Sequence, residues 1–205
     1  MLELTNFSLS IEGKTLLNNL SFKVPSREIL TLMGPSGCGK SSLLHYLTGS
    51  LASPMVATGD ITLNGNALQM LPAEKRHVGI LFQDPLLFPH MTILENLLFA
   101  LPSSTPDRKN CAINRLESFG LKDKLSALPA ELSGGQQARV ALLRTLLSQP
   151  RYLLLDEPFS KLDSNLRQEI RTLVIEQVQQ NNFPCILVTH DEEDAQAMNG
   201  PIIRL

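Results

Sequence analysis

The sequence predicts an α/β protein on a mainly parallel sheet, with an antiparallel β portion at its N-terminus and a helical insertion. Three observations carry this. Two apolar, β-rich runs, residues 2–11 and 15–24, meet through Glu12-Gly13-Lys14 and read as an antiparallel hairpin. Strand-like runs alternate with helix-periodic stretches up to residue 83 and again from residue 132, and such alternation implies parallel strands with right-handed crossovers. Between them, residues 84–131 hold leucine-rich helical stretches and no strand-like run. The expected organisation is one domain over 1–205, with 1–83 and 132–205 as the α/β core and 84–131 as a helical subdomain.

Each element has its own signal. Ile29-Leu-Thr-Leu-Met33 is an apolar strand, and Leu43, Leu44 and Leu47 recur at helical spacing soon after it. Ile61-Thr-Leu-Asn-Gly65 reads as a strand ending in an Asn-Gly turn, and Val78 to Phe82 as a short buried strand. Ile93 to Leu101 and about Lys109 to Phe119 read as helices, interrupted by Pro102-Ser-Ser-Thr-Pro106. A helix from Gln136 to Ser148 then precedes a strand from Tyr152 to Leu155. A long helix from about Asn165 to Gln180, a strand from Cys185 to Thr189 and a short helix near Glu192 to Met198 complete the chain.

The composition narrows the function class. With 205 residues, 43% hydrophobic and 19% charged, the chain is globular in character and long enough to bury a core. A formal net charge of −2 argues against a nucleic-acid partner, which usually requires a basic face. No apolar run approaches the roughly 20 residues of a membrane helix, and the N-terminus shows no secretion signal. Three widely spaced cysteines suit reduced thiols. A soluble intracellular protein is expected.

Residues Gly34, Pro35, Ser36, Gly37, Cys38, Gly39, Lys40 and Ser41 match the phosphate-binding pattern G-x-x-x-x-G-K-[ST]. Strand, loop and helix follow in the order that pattern needs. Its glycines let backbone N–H groups turn around phosphate oxygens at a helix N-terminus, whose dipole favours an anion. Lys40 is expected to place a charge on the β- and γ-phosphates, and Ser41 a hydroxyl on Mg²⁺. Ser42 completes the expected nucleotide-binding stretch.

Tyr152-Leu-Leu-Leu-Asp-Glu157 is an apolar strand ending in adjacent carboxylates, at the end of the sheet where α/β proteins place ligands. Asp156 is expected in the Mg²⁺ shell and Glu157 as the base that orients and deprotonates the attacking water. Ser133, Gly134, Gly135 and Gln136 precede a helix, so Ser133 can cap it while the glycine pair exposes N–H groups. The phosphate loop already serves one nucleotide, so a second anion cradle suggests a phosphate bound in trans across a dimer. His190, at a strand end, can reach a terminal phosphate, and Gln83 can ligate Mg²⁺ or its water.

The ordered set GPSGCGKS (34–41), FQD (82–84), LSGGQ (132–136), LLLDEP (153–158), SKLD (160–163) and TH (189–190) resembles the nucleotide-binding subunits of ABC transporters. The resemblance implies a RecA-like P-loop NTPase core that hydrolyses ATP with Mg²⁺, as a homodimer with two ATP at its interface. It implies Walker A at 34–41, a Q-loop at Gln83 and the signature at 132–136. Walker B then lies at Leu153 to Asp156 with Glu157 as catalytic base, the D-loop at Ser160 to Asp163, and the switch histidine at His190. Leu87-Phe-Pro-His-Met-Thr-Ile-Leu-Glu-Asn96 is similar to importer ATPases that serve binding-protein-dependent permeases. The implied partners are integral-membrane permease subunits with a solute-binding protein, at the cytoplasmic face of a bacterial inner membrane.

Two departures stand out. The family usually stacks an aromatic on adenine near the end of the first strand, and that position is Ile11 here, which offers no π-face. The sequence also ends soon after His190, without the C-terminal regulatory domain of some relatives. Two other classes share these motifs. The stretch between Ser41 and Ser133 is too short for the coiled coils of DNA-associated ABC ATPases, and ribosome-associated members carry two such domains. A subunit of a non-transport membrane complex, of cell-division or lipoprotein-release type, is the remaining alternative.

Overall fold

The computed structural model describes residues 1–205 and contains two sheets. The first is antiparallel. Strands β1 (Leu2–Ile11) and β2 (Lys14–Val24) turn at Glu12 and Gly13, both in the left-handed region, as a tight hairpin requires. The other edge of β1 takes β4 (Met55–Leu63), which turns at Asn64-Gly65 into β5 (Asn66–Ala67). The hairpin and the Asn-Gly turn are as expected, but β4 begins at Met55 and not at Ile61. Gly59 hides its first half: a Cβ there would come within 2.7 Å of the Phe7 Cα, beside an irregularity in the β1–β4 register.

The second sheet is wholly parallel. It contains β3 (Ile29–Met33), β6 (Val78–Leu81), β7 (Tyr152–Asp156), β8 (Cys185–Thr189) and β9 (Ile202–Arg204), in the order β6-β7-β8-β3-β9. Strand β9 was not expected. It is three residues long, follows Gly200-Pro201 and lies half-buried on an edge, so it carries almost no apolar signal.

Successive side chains of the central strands enter different cores. Leu153, Leu155, Cys185 and Leu187 face one core, while Tyr152, Leu154, Ile186 and Val188 face the other. The second core is closed by α1 (Lys40–Thr48) and the antiparallel sheet. The first is closed by α2 (Ile93–Ala100), α3 (Arg108–Ser118), α4 (Gly134–Leu147) and α5 (Ser164–Asn181). Burial on both faces makes these strands continuous apolar runs, and truncating Leu154 to Ala would cost about 2–5 kcal/mol. Residues 84–131 contain α2, α3 and two short 3₁₀ turns, but no strand. The final helix is α6 (Glu192–Ala197).

All five parallel strands point the same way. Gly34 therefore follows β3, Gln83 is the second residue after β6, Asp156 ends β7 and His190 follows β8. The carboxyl edge of this sheet gathers the candidate chemistry.

Candidate active site

The chain leaves β3 and winds through Gly34–Gly39, with Gly37 (φ 82°) and Gly39 (φ 103°) in conformations that favour glycine. Gly39 is the N-cap of α1 and offers no side-chain cap. No protein acceptor takes the N–H groups of Gly37, Gly39, Lys40, Ser41 or Ser42. That set of uncommitted donors at the positive end of a helix fits a phosphate group. Lys40 is 5% exposed, and its ammonium donates to the carbonyls of Gly34 at 2.7 Å and Pro35 at 2.8 Å. It braces the loop, with the Cys38 sulfur as a weak third partner at 3.9 Å, and borders the cleft.

These residues border a cleft of about 520 Å³. Ser36, Gly37 and Gly39–Ser42 form one wall, and Gln83, Asp84, Asp156 and Glu157 another. Gly34, Pro35 and Cys38, expected to bind nucleotide with the rest of the loop, do not line it. The first two turn their carbonyls toward Lys40, and the Cys38 thiol packs beside Gly34, where a Cβ would lie 2.9 Å from its sulfur. The hairpin contributes Leu16 to the cleft. Ile11 sits at the hairpin tip, paired with Lys14 and Met55, and does not line the cleft.

The Ser41 hydroxyl donates to Asp156 Oδ1 at 3.3 Å. Burial raises the Asp156 carboxyl above its ordinary pKa, the Ser41 hydrogen bond opposes this, and neighbouring Glu157 adds to the rise. A group with that environment gains from a cation. No three His, Cys, Asp or Glu side chains are grouped so as to hold a metal ion by themselves. The hydroxyl of Ser41, the carboxylate of Asp156 and the amide of Gln83 instead offer a sparse oxygen set that fits Mg²⁺, which keeps waters and takes phosphate oxygens.

Glu157 adopts φ 47°, and its N–H bonds the Val188 carbonyl at 2.9 Å. This non-glycine left-handed conformation, held by the adjacent strand, redirects the side chain at the sheet edge. Glu157 Oε1 lies 2.9 Å from His190 Nδ1. Ser133 accepts from the Gln136 N–H, and the Gln136 side chain accepts from the Ser133 N–H, a complete capping box. Helix α4 therefore starts at Gly134, two residues before the sequence reading placed it, and the glycine pair is its first turn. A Cβ on Gly135 would overlap the Leu166 side chain, so that position needs glycine for packing.

Ser133, Gly135 and Gln136 lie outside the phosphate-loop cleft. Gly134 instead borders a smaller cavity of about 220 Å³ that also reaches Gln83, Asp84 and Lys161. Lys161 pairs with Asp84, tying the 160–163 loop to the segment after Gln83. Sequence reading missed Leu16 and this ion pair. Leu16 sits in a strand where only neighbouring structure distinguishes a cleft wall from surface.

A family model described as ABC transporter matches residues 17–160. This chain belongs to the ABC transporter family. The ABC protein is 47% identical over 199 residues to the Escherichia coli K12 protein named "Uncharacterized ABC transporter ATP-binding protein YnjD", covering 96% of this chain and 92% of that one. It is 43% identical over 201 residues to the Rhizobium etli protein named "Fe(3+) ions import ATP-binding protein FbpC", covering 97% of this chain and 56% of that one. Its identity to the FbpC of Brucella abortus strain 2308 is 46% over 193 residues, covering 92% and 54%. The chain thus spans about half the length of the FbpC proteins and nearly all of YnjD. It is an ABC ATP-binding subunit, an ATPase coupled to transport.

Proposed function

We propose that this ABC ATPase powers solute uptake through a membrane permease, working as a homodimer that encloses two ATP. The observation that carries the hydrolytic part is the single cleft shared by the phosphate loop, Gln83, Asp156 and Glu157. The uncommitted N–H groups of the loop and the charge of Lys40 bind the phosphates. Ser41, Asp156 and Gln83 would hold Mg²⁺, which would neutralise phosphate charge when bound. Glu157 accepts the proton of the attacking water as the water oxygen bonds the γ-phosphorus. The bond from that phosphorus to the bridging oxygen breaks, and the electron pair leaves with ADP. His190 holds Glu157 in place and faces the terminal phosphate.

The dimer reading rests on α4. Its first-turn N–H groups at Gly134 and Gly135 are open, yet Ser133, Gly135 and Gln136 lie away from the loop in the same chain. A second copy related by a two-fold axis brings them to its phosphates. The permease reading rests on an apolar groove beside β6, α2 and α4. Leu86 (57% exposed) and Phe99 (65% exposed) line it, Phe88 meets Phe99 edge-on at 4.8 Å, and Arg144 lies 5.4 Å from the Phe88 ring. Such an exposed apolar groove marks a docking surface. Its neighbourhood to Gln83 supports a route from ATP to the permease, with the subunit working at the cytoplasmic face of the inner membrane. No helix of the chain is long and apolar enough to cross a membrane. Uptake, with a solute-binding protein outside, is supported by the import named for the FbpC relatives.

Affinity purification from solubilised membranes tests this reading. A multi-span permease should co-purify with the wild type and be lost with Phe99→Glu, while the ATPase activity of the isolated Phe99→Glu protein persists. Recovery of ribosomes or DNA in place of a permease would overturn it.

A further inference from the structure

Helix α5 begins at its N-cap Asp163, the last residue of the loop that follows Glu157, and carries Arg167 and Arg171 one turn apart on one face. Facing them are Asp191, the N-cap of α6, and Asp194 in its first turn. Arg171 donates through Nε to Asp194 Oδ1 at 2.7 Å and also through Nη2, and both side chains are buried. That pair docks the two helices. Arg167 donates through Nη1 to Asp191 Oδ2 at 2.7 Å and makes no other side-chain hydrogen bond, although its Nε is buried.

The second pair therefore does something the first does not. Asp191 directly follows His190, its N–H bonds the Thr189 hydroxyl at 3.0 Å, and its other oxygen caps Glu193 and Asp194. The residues on both sides of His190 are thus anchored, while the imidazole itself is 57% exposed and makes its one side-chain hydrogen bond to Glu157. With a single hydrogen bond of its own and more than half its surface exposed, the ring depends on its backbone for its aim. We propose that Arg167 is a positioning residue for His190: through Asp191 it fixes the backbone from which the imidazole reaches Glu157, linking the Ser160–Asp163 loop to the hydrolytic pair. This rests on the hydrolytic role of Glu157 and His190 proposed above.

The test is a double-mutant cycle in single-turnover ATP hydrolysis by the full chain, with ATP affinity titrated separately. Arg167→Gln should slow hydrolysis about tenfold, the scale of a displaced catalytic group, with ATP affinity within about twofold. Arg167→Lys, which keeps a cation in reach of Asp191, should recover most of the rate. In a His190→Ala background, Arg167→Gln should cost less than about twofold, because the group it positions is gone. An equal loss in both backgrounds, or an unchanged rate in Arg167→Gln, overturns the positioning role while leaving the site reading intact. A wild-type rate in His190→Ala would instead remove the hydrolytic role of His190, and the positioning role with it.

Discussion

His190 Nδ1 and Glu157 Oε1 lie 2.9 Å apart, joining the ends of two adjacent parallel strands. The carboxylate that closes β7 is thereby held by the first residue after β8, across the edge where the phosphate loop also ends. Removing the proton-accepting ability of Glu157 while keeping its shape separates binding from chemistry. Glu157→Gln should keep ATP affinity and lower turnover by roughly 10²–10⁴-fold, the usual share of a general base. It should also accumulate an ATP-bound dimer, visible by light scattering. Turnover within a few-fold of wild type would take Glu157 out of the base role.

Lys40 braces the carbonyls of Gly34 and Pro35, and the proposed function gives it a second duty, meeting the phosphates. Lys40→Ala removes both. ATP affinity by direct titration should fall by at least about a hundredfold, as expected for losing a charge-assisted contact of about 3 kcal/mol. Unchanged affinity would contradict the assignment of the loop.

Leu16, not Ile11, is the hairpin residue that lines the cleft. An aliphatic wall supplies contact area but no directional preference between bases, so ATP and GTP should bind within about tenfold of each other. Leu16→Ala should weaken both by about 1 kcal/mol, the worth of partly exposed apolar area. Ile11→Ala should change neither by more than about twofold. A larger effect at Ile11 than at Leu16, in parallel titrations, would show that the base lies over the hairpin tip.

Asp156 is a half-buried carboxylate raised by burial, beside a second carboxylate and with one hydroxyl partner at 3.3 Å. Asp156→Asn removes a charge that burial and the neighbouring Glu157 disfavour. The nucleotide-free protein should melt roughly 2–4 °C higher, about 1 kcal/mol for a chain of this size, while Mg²⁺-dependent hydrolysis disappears. Lower thermal stability together with retained hydrolysis would mean that Asp156 is structural.

The three cysteines differ in environment. Cys185 is fully buried within β8 and burial pushes its thiol far up, so a maleimide should reach it only on unfolding. Cys38 is half-buried, with its sulfur 3.9 Å from the Lys40 ammonium. It lies within the phosphate loop and Cys111 does not, so saturating Mg-ATP should slow modification of Cys38 but not of Cys111. Equal labelling of Cys38 with and without ATP, mapped by mass spectrometry, would place it away from the nucleotide.

Much of the site was legible in sequence because its signals are local. A phosphate loop needs consecutive residues with particular backbone freedom, and a buried parallel strand needs an unbroken apolar run, so Gly34–Ser41 and Leu153–Glu157 announce themselves. The capping box at Ser133 and Gln136 is local for the same reason. Strand β9 was not legible, since three half-buried residues on a sheet edge owe their pairing to β3 and not to their own pattern. The first half of β4 was hidden by Gly59, which β1 requires through close backbone approach.

By itself the sequence determined which chemical groups exist and the strand, loop or helix that bears each, because hydrophobic period, glycine placement and caps act over a few residues. Only the tertiary structure decided which groups meet. The Glu157–His190 hydrogen bond, the Arg167–Asp191 pair and the Lys161–Asp84 pair join residues distant along the chain, and each depends on strand order. The side chain that walls the cleft was likewise settled by how the antiparallel sheet packs over α1, which places Leu16 at the opening and Ile11 beyond it. Such contacts follow from the summed burial of two cores on opposite faces of one sheet, a quantity that no local stretch of sequence contains.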